Sequence, residues 1–123
     1  VVGAAVDSSV RYILLVEDED SIRIPLKDYL NRVGFAVLVA SDGVGAIKHI
    51  LDHPIDAIIT DYRMDILGGD YWVRFLQRFC PEQKVLLTSG FLKSDLPLPF
   101  EVLTKPYTFL ELEAKLRELL AGA

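Results

Sequence analysis

The sequence has a single cysteine, Cys80, and therefore no partner for an intrachain disulfide. A reducing compartment is the simplest setting for such a chain, and Phe79-Cys80-Pro81 offers no basic neighbour that would activate the thiol as a nucleophile. Basic residues are in the minority. Thirteen Lys and Arg stand against 18 Asp and Glu, a net charge of -5, and the bases form no cluster. That excludes broad electrostatic binding to nucleic acid or to an anionic membrane by this domain, since either needs a gathered cationic face. No apolar run approaches the ~20 residues that a helix needs to cross a bilayer. The two histidines, His49 and His53, have no companion ligand at metal spacing and read as surface or packing residues. A cytoplasmic chain is expected.

What is present is enough apolar content for one core: 51% of 123 residues, the length of one ordinary domain. Residues 1–10 lack the basic start of a signal peptide and read as a linker or expression remnant, leaving 11–121 as the folded domain. Short apolar runs at Ile13–Val16, Phe35–Val39, Ile55–Thr60, Val85–Thr88 and Glu101–Thr104 predict strands. Helical spacing of apolar residues predicts helices over about 20–32, 45–51 and 71–79, and again near the C-terminus from Phe109 to Leu120. Gly34 supplies a stop for the first helix, while Pro25 predicts that this helix starts late or bends. Strands that alternate with helices imply right-handed crossovers and an α/β fold with a parallel sheet between helical layers.

In such sheets the ligand site lies beyond the carboxyl ends of the strands. The residues found there are Glu17 and Asp18 after the first strand, Asp61 after the third, Ser89 after the fourth and Lys105 after the fifth. Crowding carboxylates is costly: two of them ~4 Å apart repel by about 1 kcal/mol in water and about 4 kcal/mol at an effective dielectric of 20. Taken singly, each residue has an ordinary reading as a loop acid, a turn residue or a surface charge. Together, three carboxylates, a hydroxyl and a lysine form a hard-oxygen cation site beside an anion-binding group, and Mg²⁺ suits it best. Asp61 could then attack a phosphoryl group while the cation and Lys105 neutralise the transferred oxygens and Ser89 donates a hydrogen bond. Glu19 and Asp20 read as residues of the helix start.

From Tyr12 to Leu120 the chain resembles the receiver domain of two-component response regulators. ILLVEDE is similar to that family's first strand and acidic pair, IDAIITDYRM to the strand with the phosphoacceptor, LLTSG to the strand with the hydroxyl, and LTKPY to the lysine-proline pair. The resemblance implies a flavodoxin-like, doubly wound five-stranded parallel sheet in order 2-1-3-4-5. It implies transfer of a phosphoryl group from a histidine kinase or histidine phosphotransfer domain to Asp61. Mg²⁺ would be held by Asp18, Asp61, the Arg63 backbone carbonyl and waters, with Glu17 assisting. Ser89 would follow the phosphate, Lys105 would bridge to it, and the Lys105–Pro106 peptide would be cis. The chain would be a signalling phosphoacceptor that promotes its own phosphorylation and dephosphorylation rather than an enzyme, with a weak homodimer allowed.

Departures from the family pattern are Asp65 in place of a frequent proline and Val102 in place of an aromatic residue three positions before the lysine. The Ser89 to Lys105 interval is short and holds Pro97 and Pro99, so the helix between the fourth and fifth strands is expected to be reduced, with loop ordering replacing aromatic rotation on activation. Two rival functions differ in the residues they need. A non-phosphorylated pseudo-receiver that serves only as an interaction module would have lost an acid, the hydroxyl or the lysine. A phosphatase with an aspartyl nucleophile would carry a second Asp two positions after the first, where this chain has Arg63.

Overall fold

The computed structural model describes residues 10–62, 69–90 and 100–122. Among them β1 (Tyr12–Val16), β2 (Ala36–Ala40), β3 (Ala57–Asp61), β4 (Lys84–Ser89) and β5 (Glu101–Thr104) form one parallel sheet in the order β2-β1-β3-β4-β5. The helices are α1 (Asp20–Arg32), α2 (Gly43–Asp52), α3 (Gly69–Phe79) and α4 (Phe109–Ala121). This is the doubly wound order implied by the sequence, with strand and helix ends displaced by one to two residues at several termini. The expected reduction of the helix between β4 and β5 falls on residues 91–99, outside the described residues.

Side chains alternate across each strand, so one sheet feeds two cores. Ile13, Leu15, Ala57, Ile59 and Leu86 point to the layer of α1 and α4, where they meet Leu26, Leu30, Leu112 and Leu116. Leu14, Val16, Ile58, Val85 and Leu87 point the other way, toward Ala46 of α2 and Trp72, Val73 and Leu76 of α3. Each fully buried aliphatic side chain stabilises the fold by roughly 1.5–3 kcal/mol relative to exposure. Val102, three positions before Lys105, lies in the second of these cores and is buried.

Local signals set the helix ends. Asp42 accepts a hydrogen bond from the Gly45 N–H at 2.8 Å and caps α2. Thr108 and Glu111 form a reciprocal capping box at the start of α4. At the end of α1 the Gly34 N–H donates to the Asn31 carbonyl and the Phe35 N–H to the Leu30 carbonyl, a Schellman pair that needs the left-handed backbone of Gly34, φ 107°. Of the two outcomes expected of Pro25, a late start does not occur: the helix begins at Asp20 and runs through it. The reason is placement. The ring removes the bond to the Ser21 carbonyl, and both residues are exposed, so water can serve that carbonyl.

Candidate functional site

The carboxyl ends of β1, β3, β4 and β5 converge as the topology requires, and they bring four of the expected side chains together. Glu17 follows β1 directly and is held by its backbone, whose N–H donates to the Ala40 carbonyl at 3.0 Å. Its carboxylate turns inward, only 2% of the residue is exposed, and Oε2 accepts the Glu19 N–H at 3.2 Å. Asp18 is half-buried beside it. Asp61 is the last residue of β3 and 6% exposed. One carboxylate oxygen from each of Glu17, Asp18 and Asp61 lies within 4.8 Å of the others. Lys105 arrives from beyond β5, its Nζ 3.3 Å from Asp61 Oδ2 and 3.7 Å from Glu17 Oε1. Its own N–H donates to the Ser89 carbonyl at 2.7 Å, which ties the lysine to the end of β4, and the Lys105–Pro106 peptide is cis. Ser89 is buried at the last position of β4, one strand away from Asp61. The expected ligand carbonyl of Arg63 lies outside the described residues. His49 and His53 stand apart from this edge, and His49 Nε2 bonds the Val39 carbonyl at 2.8 Å.

Electrostatics explain what the cluster demands. Burial, and then the neighbouring charge of Asp61, push the Glu17 carboxyl from 4.5 up to about 7, against the pull of the Glu19 N–H and Lys105. Burial alone would lower the Lys105 ammonium, but Asp61 and Glu17 outweigh it, so its pKa ends above the usual lysine value. Three acids against one ammonium leave excess negative charge in a nearly dry place. The donor set is all oxygen, and so it fits a hard divalent cation of the Mg²⁺ type.

A pH dependence follows for the metal-free protein. Below 4.5 Glu17 is protonated folded or unfolded. Between there and about 7 the unfolded chain releases the proton more readily, so stability falls as pH rises, on the order of 3 kcal/mol for a shift of this size. Urea midpoints measured in a chelator should drop between about pH 5 and about pH 8, and Glu17→Gln should flatten that slope. An equally steep slope in the variant would show that Glu17 is not the group responsible.

Three features of the site had no prior assignment. Arg23 of α1 donates to the Glu17 carbonyl at 2.9 Å and pairs with Asp20, clamping the acidic loop; its place one turn into the helix was the available signal. Trp72 Nε1 donates to Thr60 Oγ1 at 2.9 Å, fastening α3 to the residue before Asp61. Tyr107 has its phenol pushed up to about 12, by burial first and then by Glu17, Asp61 and Glu19, so it stays protonated beside the acids. It lines an apolar cleft of about 440 Å³ with Ile22, Lys105, Pro106 and Phe109. Among the described residues, no helix is long and apolar enough to cross a membrane.

The chain is similar to known proteins in sequence and in fold. Residues 13–117 match the sequence model of the response regulator receiver domain. The chain is 27% identical to the response regulator receiver protein CpdR of Brucella abortus, over 93% of this chain and all of that protein. It is 30% identical to a segment of the sensor kinase CckA of the same organism, over 88% of this chain but 12% of the kinase. Among solved structures, the response regulator TrrA of Thermotoga maritima, in complex with Mg²⁺ and BeF, superposes with a TM-score of 0.78 at 28% identity, over 89% of this chain and 98% of TrrA.

Proposed function

This chain belongs to the response regulator receiver family, a phosphoacceptor of two-component signalling, and on that premise we propose that Asp61 takes the phosphoryl group from a phosphohistidine. The observation that carries the assignment is the pairing of Asp61 with both a carboxylate cluster and the Lys105 ammonium at 3.3 Å. An Asp61 carboxylate oxygen forms the new bond to phosphorus, and the donor's P–N bond breaks with its electron pair left on the imidazole. Asp61 is nearly buried at the end of a rigid strand, which fixes the attacking oxygen. Lys105, held charged by its neighbours, exchanges its contact with Asp61 for one with a phosphoryl oxygen. Ser89, at the end of the adjacent strand, is the hydroxyl donor to the same group.

Mg²⁺ would be held by Glu17, Asp18, Asp61 and the Arg63 carbonyl, and when bound it supplies positive charge against the phosphoryl oxygens. The apolar cleft beside Lys105 supports approach of the donor from the side of Ile22 and Tyr107. A histidine kinase or histidine phosphotransfer domain is the donor, the chain promotes its own phosphorylation and dephosphorylation, and its setting is cytoplasmic. Residues 11–121 constitute the receiver.

The test is intact-mass measurement after incubation with acetyl phosphate. One phosphoryl group should be gained with Mg²⁺ and none with a chelator, and the adduct should survive acid and be lost in base. An adduct that forms equally well without the cation would contradict the proposed site, and no adduct from any donor would support the pseudo-receiver instead.

A further inference from the structure

The outer face of α3 carries a row of aromatic side chains, two of them exposed and the middle one, Phe75, resting on the core. Tyr71 and Phe79 are 72% and 65% exposed, and half-buried Phe75 stands between them at four-residue spacing on one side of the helix. Two of its members are in ring contact. Phe75 and Phe79 have ring centroids 5.2 Å apart, and Phe75 stacks on buried Trp72 at 5.9 Å with planes 15° apart. Single exposed apolar residues are ordinary, but a contiguous ridge marks an interaction surface. Arg74 and Arg78 are interleaved with it and exposed, the Arg78 guanidinium lying 5.6 Å from the Phe79 ring centroid. Together with Gln77 these side chains line an open groove of about 630 Å³.

The charges indicate what fills the groove. Arg74 and Arg78 are both exposed and stand one turn apart on this face, and among the described residues no carboxylate pairs with either, so their charge is presented at the groove. Two exposed guanidiniums one turn apart beside aromatic faces select carboxylates. A second copy packed two-fold through this face would bring like charges together. The net charge of -5 repels a phosphate backbone, which weighs against nucleic acid. From Tyr71 to Phe79 the helix rises about 12 Å, which two to three turns of a facing helix would cover.

We propose that the α3 ridge docks an acidic amphipathic helix of a partner protein, its apolar side chains at i, i+4 and i+7 filling the groove and its carboxylates meeting Arg74 and Arg78. The surface shares no residue with the phosphoacceptor site, so its occupancy can be tested whether or not Asp61 accepts a phosphoryl group.

The probe is a synthetic peptide of about 16 residues, long enough to sustain a helix, with leucines at those positions and glutamates flanking them; the control has lysine for every glutamate. Titrated into the isotope-labelled chain, the glutamate peptide should shift the α3 amides saturably, with Kd rising at least about fivefold between about 50 and about 300 mM salt. The lysine peptide should bind at least about tenfold more weakly, and the pair R74E/R78E should reverse that preference. Both arginines are exposed, so amide shifts in the sheet should report an unchanged fold in the variant. The proposal is overturned if millimolar glutamate peptide leaves α3 unshifted, or if both peptides bind equally. It is equally overturned if α3 shifts appear on raising the protein concentration or on adding oligothymidylate but not with the peptide.

Discussion

Asp61→Asn is expected to gain no phosphoryl group from acetyl phosphate under conditions in which the natural chain gains one. The amide keeps the shape of the side chain but loses the charge and the nucleophilic oxygen, while Glu17, Asp18 and Lys105 remain in place. A second consequence is electrostatic. With the charge of Asp61 gone, the Glu17 carboxyl should titrate below about 7 yet still above 4.5, because burial, the larger cause of its shift, persists. A carbon-detected NMR titration of Glu17 in the variant measures this. An unchanged midpoint would mean that the two carboxylates do not interact across the site, and phosphorylation of the variant at the same rate would place the acceptor elsewhere.

Asp18→Ala and Lys105→Ala should separate the two halves of the site. Removing Asp18 takes away one of three carboxylates, and Mg²⁺ affinity should fall by at least about tenfold, about 1.4 kcal/mol. Removing Lys105 should leave that affinity unchanged or raise it. Its ammonium sits 3.3 Å from Asp61 and 3.7 Å from Glu17 and so competes with a cation for the same oxygens. The lysine matters after the phosphoryl group arrives, so Lys105→Ala should fail to hold beryllofluoride, a phosphoryl mimic, while still binding Mg²⁺. Calorimetric titration of both variants decides the matter, and a loss of metal affinity in Lys105→Ala equal to that in Asp18→Ala would refute the division of roles.

The sheet and its site were legible because their signals are local and redundant. An apolar run that ends at an acid, as in Ile13–Val16 before Glu17 and again in β3 ending at Asp61, marks both a buried parallel strand and the edge where a ligand binds. Gly34 announced the end of α1 through its backbone freedom. What sequence reading could not supply depends on direction and burial. Nothing in Glu17-Asp18 says that the first acid is the one driven inward, to 2% exposure, while the second stays half in solvent. Nor could spacing show that Arg23 reaches back to the Glu17 carbonyl, or that Trp72, three residues into α3, bonds Thr60. The late start allowed for Pro25 does not occur, because the cost of a helical proline depends on whether the freed carbonyl meets solvent, and Ser21 and Pro25 are both exposed. Apolar spacing marked α3 as a helix, and only the tertiary arrangement shows that Tyr71 and Phe79 lie outside its buried face.

Chemical localisation of the phosphoryl group is the most direct measurement. The chain phosphorylated with Mg²⁺ and acetyl phosphate is reduced with borohydride, which converts an aspartyl phosphate to homoserine, then digested and mapped by tandem mass spectrometry. Homoserine at position 61 and at no other aspartate is the predicted result; homoserine at Asp18 instead, or a phosphoryl group on a hydroxyl or imidazole that borohydride leaves intact, would contradict the assignment of Asp61 as the phosphoacceptor.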